Sequence, residues 1–365
     1  MKVPYINLGL QHQKDKQEIL NKVSEVLDSG MFILGDEVKT FEEQFAKLCD
    51  VNYAIGVANG TDALLLALKS LGIGPGDEVI TAPNSYLASA SSIELTGARV
   101  VFADPREDFN LNPAEVENKI TSKTKAIIVV HLTGRPADMD AFNAIALKHN
   151  IQIIEDAAQA VGAKYNGKPV GGHGKLGCFS LHPLKNLAAT GDAGMITTND
   201  RKLYEWLLKA RTHGMKSRDE CEFWSLNSRL DAIQAAILNI KIKRLDEWTK
   251  RRREIAQKYI DAIGHLVKVP IEKQKEYSVY HTFIIQTERR DALQSFLKEK
   301  GIDTKVHYPV AIHQQEAAKD IPSAKDAYPE TERQIKEILS LPVYPELTDE
   351  QVDYVIDSFK AFFEK

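Results

Sequence analysis

Between about residues 36 and 210 the chain repeats one pattern: a short apolar run, then a segment whose apolar residues recur at helical spacing. Runs at 53–57, 78–81, 100–103, 126–130, 151–155 and 195–198 read as strands. Segments at 61–71, 86–95, 138–149 and 201–210 read as helices. Apolar runs without polar alternation are strands buried on both faces, and their alternation with helices predicts a mainly parallel sheet covered on both sides. The expected fold class is α/β. Gly72-Ile73-Gly74-Pro75-Gly76-Asp77 supplies a turn between a helix and the next strand. Beyond residue 229 the pattern changes. Leu230, Ile233, Ala236, Ile237, Ile240, Ile242 and Leu245 recur near helical spacing, predicting one long helix over 229–264 with the basic run at 248–253 as a solvated face. After Pro270 a smaller unit follows, with a strand at 282–286 and helices at 289–300 and 349–363. We therefore expect a large domain over 1–245 and a small C-terminal domain over 246–365.

At 365 residues with 43% hydrophobic content, such a chain buries enough surface to fold without covalent staples. Its three cysteines, Cys49, Cys178 and Cys221, lie far apart and form no C-x-x-C pair, so neither a disulfide framework nor a metal site is expected. With 47 basic against 51 acidic residues there is no surplus for nucleic-acid binding. No 18-residue apolar stretch and no signal-type N-terminus occur, which predicts a cytoplasmic protein with no membrane partner.

Three segments carry chemistry. Val57-Ala58-Asn59-Gly60-Thr61-Asp62 reads as strand, tight turn and helix start, with Thr61 or Asp62 opening the helix. Free amides and the macrodipole at a helix N-terminus suit an anion, and an ordinary capped helix gives the same pattern. In Ile153-Ile154-Glu155-Asp156-Ala157-Ala158-Gln159 an acidic residue ends an apolar strand, where open α/β sheets place their ligands. A capping carboxylate reads the same way. Phe179-Ser180-Leu181-His182-Pro183-Leu184-Lys185-Asn186 puts a lysine in apolar surroundings, which lower an ammonium pKa and suit it to attack a carbonyl; a surface loop lysine is the plainer alternative.

Together these segments resemble the DegT/DnrJ/EryC1/StrS family of sugar aminotransferases, within the fold-type I pyridoxal-phosphate enzymes. The resemblance runs from Gly30-Met31-Phe32-Ile33-Leu34-Gly35 through His131-Leu132-Thr133-Gly134-Arg135-Pro136 and Asn227-Ser228-Arg229 to His307-Tyr308-Pro309 and His313, with 29 residues between Asp156 and Lys185. It implies a mainly parallel seven-stranded sheet in the large domain and a small α+β C-terminal domain. It implies pyridoxal 5'-phosphate as cofactor, Lys185 as its Schiff-base partner and proton carrier, Asp156 on the pyridine nitrogen, Gln159 on the ring hydroxyl and Tyr86 stacked on the ring. The amides of Gly60, Thr61 and Asp62, with Ser180, would hold the phosphate. Asn227 would reach it from a neighbouring subunit, so a homodimer with shared sites is implied.

The resemblance further implies an amino group moved from L-glutamate or L-glutamine to a ketosugar, commonly nucleotide-linked. His307, Tyr308 and His313 match substrate-side positions, and Arg229 is a candidate for the donor carboxylate. Lys185 stands where dehydratase relatives carry histidine, which favours transamination; His182, three residues earlier, either shapes the pocket or packs on Pro183. Thr133 and Arg135 replace a common Tyr and Gln. Arg135 either pins its loop or selects an anionic sugar acid, such as an 8-oxo-3-deoxyoctulosonate for lipopolysaccharide. A non-catalytic cofactor-binding regulator is the reading from another class.

Overall fold

The computed structural model describes residues 1–364. Seven strands make the central sheet: β1 (Tyr53–Val57), β2 (Glu78–Thr81), β3 (Arg99–Phe102), β4 (Thr124–Val130), β5 (Gln152–Asp156), β6 (Leu176–Ser180) and β7 (Gly194–Thr198). Their spatial order is β1-β7-β6-β5-β4-β2-β3. Strands β2 to β6 pair in parallel, and β7 runs antiparallel to both β1 and β6. The mainly parallel α/β sheet expected from the alternation is present, with one reversed strand. β6 is missing from the six runs picked out by pattern, because Gly177 and Cys178 interrupt its apolar character.

β4 explains why these strands lack polar alternation. Ala126, Ile128 and Val130 join the apolar cluster on one face, while Ile127 and Val129 join the cluster with Met139 and Phe142 on the other. Both faces are dry, so both sets of side chains must be apolar.

The helix expected over 229–264 is two helices, Ala232–Lys241 and Leu245–Ile263, joined by a 3-10 turn at Ile242–Arg244. Its basic run is not a solvated face. Arg252 is buried with Trp248, Ile255 and Tyr259 on the stripe that meets the C-terminal core, and its guanidinium donates to the carbonyls of Tyr280 and His281 at 3.4 Å each. That core gathers Tyr259, Phe283, Leu341 and Phe359 around the antiparallel strands Phe283–Gln286 and Ile338–Leu341. Val3 belongs to it as well, through backbone bonds to Gly301 and Asp303 of 2.9 Å each. The N-terminal residues therefore lie against the C-terminal unit.

Candidate active site

Strand register gathers the chemistry at one edge of the sheet. Gly194 pairs with both Val57 and Ser180, and Asp156 pairs with Val130 and Cys178. The carboxyl ends of β1, β5 and β6 thus share the rim where open α/β sheets bind ligands. After β1 the helix Gly60–Ser70 begins, capped by Asn59, whose Oδ1 accepts from the Asp62 amide at 2.8 Å. This corrects two expectations. The cap is Asn59 instead of Thr61 or Asp62, and the Asp62 amide is already engaged, leaving those of Gly60 and Thr61 for an anion. A Cβ at Gly60 would sit 2.7 Å from Ser180 Cβ, so only glycine lets the helix end approach β6 this closely.

Lys185 stands on the loop joining β6 to β7. Leu181 N donates to Ala193 O across the loop base, Lys185 N donates to His182 O, and Asn186 Nδ2 donates to Val161 O at 2.7 Å. The half-buried side chain lies deep among protein groups, and burial brings its ammonium down to about 8 although Asp156 favours the charged form. Asp156 ends β5, accepting from Ser89 Oγ at 2.8 Å and from the Ala158 amide at 3.2 Å. Burial pushes its carboxyl up against those donors. A buried carboxylate lacking a full counter-charge fits a protonated ring nitrogen.

Gln159 takes part through a turn, Ala160 N to Ala157 O, in place of a helical one. Its Oε1 accepts from the Thr133 amide at 2.7 Å, which aims Nε2 at Tyr308 Oη, 3.4 Å away. That fixed amide offers an N–H to a ring hydroxyl. Tyr86 precedes its helix, which starts at Ala88, and stays 54% exposed, its ring 5.6 Å from that of Tyr308. His307 lies within the field of Lys185, and burial holds its imidazole at about 4.

Of the expected substrate residues, two are otherwise engaged and a third is enclosed by aromatic rings. Arg135 is buried and pairs with Glu276 at 2.7 Å, so its guanidinium ties the turn to the 276–277 strand. His182 Nδ1 accepts from the Leu184 amide at 3.3 Å, which makes it part of the turn carrying Lys185. His313 is enclosed by Tyr328, 4.8 Å away between ring centroids, and by Phe102. Asn227 is exposed and bridges Thr212 on a hairpin, and Arg229 is half-buried without a hydrogen bond or ion pair among the described residues.

Sequence reasoning missed Ser89 and its neighbour Ser85, 2.9 Å apart between hydroxyls; their i,i+4 spacing was the available signal. It also missed the pair beneath the rim. His131 Nδ1 accepts from the Ala137 amide, so Nε2 carries the proton and donates to Glu155 at 3.0 Å. Glu155 accepts in addition from the amides of Gly171, His173 and Gly174 at 2.7 Å each. These bonds hold its carboxyl below the usual range despite complete burial.

The sequence profile of the DegT/DnrJ/EryC1/StrS aminotransferase family matches residues 13–360. A Geobacillus stearothermophilus protein named pleiotropic regulatory protein is 46% identical, covering 100% of this chain and 99% of its own. The dTDP-3-amino-3,4,6-trideoxy-alpha-D-glucose transaminase of Streptomyces venezuelae is 41% identical over 100% of this chain and 97% of its own. Among solved structures, S. venezuelae DesV in complex with a ketimine intermediate superimposes with a TM-score of 0.97 at 41% identity, covering 100% and 99% of the two chains. NtdA from Bacillus subtilis with bound cofactor PMP gives 0.95 at 30% identity, covering 100% and 86%. The mixed α/β architecture with its mainly parallel central sheet is that of a fold-type I pyridoxal-phosphate enzyme. The chain belongs to the DegT/DnrJ/EryC1/StrS aminotransferase family, and is a sugar aminotransferase with pyridoxal phosphate as its cofactor.

Proposed function

We propose that this enzyme transfers an amino group from L-glutamate or L-glutamine to the keto carbon of a nucleotide-linked sugar, acting as a cytoplasmic homodimer. The observation that carries the reading is the desolvated Lys185 amine facing the carboxylate of Asp156 at the sheet edge. The nucleotide follows the named substrates of the relatives, among them dTDP sugars. No helix among the described residues is long and apolar enough to cross a membrane, in keeping with an enzyme acting on water-soluble sugars.

When bound, pyridoxal phosphate supplies an electrophilic carbon and an electron-withdrawing ring. Lys185 would hold it through its amine, and is the base placed to move a proton at the substrate carbon. Asp156, held by Ser89, would keep the ring nitrogen protonated. Gln159 would donate to the ring hydroxyl, Tyr86 would cover the ring, and Ser180 with the Gly60 and Thr61 amides would hold the phosphate. Asn227 would reach that phosphate from the partner subunit, and Arg229, whose guanidinium has no partner among the described residues, suits the donor carboxylate.

The pairing of Arg135 with Glu276 removes the charge that would have favoured a free sugar acid. A regulatory role, suggested by the name of the Geobacillus relative, is opposed by the intact set of Lys185, Asp156 and Gln159. Spectroscopy tests the reading. The holoenzyme should absorb near about 410–430 nm, and L-glutamate should convert that band to the pyridoxamine form. Protein that stays colourless with added cofactor, or shifts with no donor, would sink it.

A further inference from the structure

The turn over residues 131–136 bonds to both residues assigned to the cofactor ring. His131 N donates to Asp156 O at 3.0 Å, and Thr133 N donates to Gln159 Oε1 at 2.7 Å. A backbone N–H can only donate, so the bond from Thr133 seats the Gln159 oxygen and turns Nε2 to the opposite side, toward Tyr308 Oη. Thr133 makes this bond from the left-handed region, at φ 65° and ψ 0°. A β-branched residue is costly there and persists only where its surroundings over-determine it.

Two segments distant in the chain supply that constraint. On one side Asn110, 4% exposed, spends its whole amide on the turn. Its Oδ1 accepts from Leu132 N at 3.0 Å, and its Nδ2 donates to the carbonyls of Arg135 at 3.3 Å and Pro136 at 3.1 Å. On the other side the segment 272–282 lies across the turn. Val279 N and Ser278 Oγ donate to Gly134 O at 3.0 and 3.1 Å, and Thr282 N donates to Thr133 O at 3.3 Å. Gly134, at φ 88°, permits this approach: a Cβ there would stand 2.8 Å from Val279 Cγ2 and 2.9 Å from His281 N. The same segment is tied to the turn by the buried pair of Arg135 and Glu276, with Nε and Nη2 2.8 and 2.7 Å from Glu276 Oε2.

We propose that Asn110, Arg135 and Glu276 are positioning residues. They hold Thr133 in its left-handed conformation and thereby fix Gln159 as the N–H donor to the ring hydroxyl of the cofactor. Arg135 thus acts on the site through Thr133 instead of through a substrate charge. The inference rests on the assignment of Gln159 to that hydroxyl in the reading above.

A pH titration of the absorbance band of the pyridoxal-phosphate holoenzyme reads the donor. A hydrogen bond to the hydroxyl oxygen favours its ionised form, so losing the donor raises the pH midpoint of the bound chromophore. Gln159→Ala should raise it by about one unit, and Asn110→Ala and Glu276→Gln by about half a unit each. Glu276→Gln keeps the size of the side chain and an acceptor oxygen, so it decides the matter if Asn110→Ala fails to fold. It also separates geometry from charge, because deleting a negative charge by itself would lower the midpoint. In the Gln159→Ala background neither variant should move the midpoint further. An equal rise in that background, or no rise in the single variants where Gln159→Ala does rise, overturns the positioning role. An unmoved midpoint in Gln159→Ala refutes the assignment of Gln159, and the proposal with it.

The apoenzyme gives a readout without the cofactor. Hydrogen exchange of the amides over 132–135 should speed by about tenfold in Asn110→Ala and in Glu276→Gln. Unchanged protection in both would show that Thr133 is held by something else and overturn the proposal while leaving the assignment of Gln159 standing.

Discussion

Burial lowers the Lys185 ammonium to about 8, while the charge of Asp156 holds the proton on. Only the neutral amine attacks a carbonyl, so in the apoenzyme the rate of cofactor capture should climb with pH below about 8 and level off above it. Asp156→Asn removes the charge that favours the ammonium, so the midpoint should move to lower pH. Stopped-flow absorbance of pyridoxal phosphate mixed with apoenzyme reads both, and a flat profile from pH 6 to 9 would contradict the assignment. Single residues were unevenly legible. Taken singly, Lys185 read as well as a surface lysine and Asp156 as well as a capping carboxylate, and only the ordered set of motifs singled them out. Arg135 and His182 looked equally eligible, yet in the structure they are held by Glu276 and the Leu184 amide. Glu276 and Arg135 are 141 residues apart, and no local pattern announces such a pair.

At the scale of elements, the helix Gly60–Ser70 matters through its first turn. Asn59 takes the Asp62 amide, and Gly60 lets the two free amides stand beside Ser180. Gly60→Ala should force the helix end away from β6 and weaken pyridoxal-phosphate binding by about tenfold or more, with the sheet intact. A cofactor titration followed by absorbance checks this, and unchanged affinity would argue against a phosphate at the helix end. Helices and strands of regular period were readable from sequence. β6 was not, since a strand containing Gly177 and Cys178 owes its place to the β-ladders on either side. The stripe Trp248, Arg252, Ile255 and Tyr259 was masked by the charge of Arg252, which is solvated by carbonyls instead of water.

For the whole molecule, several large apolar side chains remain uncovered, some of them adjoining residues of the site. Leu184 adjoins Lys185, Leu87 adjoins Tyr86, Trp224 stands on the hairpin with Asn227, and Met31 and Phe32 belong to the N-terminal region. Residues of this size left in water suit an interface with a second copy. Sedimentation should give a dimer at micromolar concentration, and Phe32→Glu should shift it toward monomer with a matching loss of cofactor affinity. A wild-type monomer with full cofactor content would rule out shared sites.

The sequence by itself determined the sheet class and the family, and singled out Lys185 and Asp156 as the candidate anchors. Each rests on local periodicity or on an ordered set of motifs whose meaning does not depend on distant neighbours. Tertiary structure decided which amides are free, which imidazoles are engaged, and that Asn110 and Glu276 bind the turn beside Gln159. Those facts depend on hydrogen-bond partners distant in the chain, and a proton settles on one atom or another only when those partners are in place.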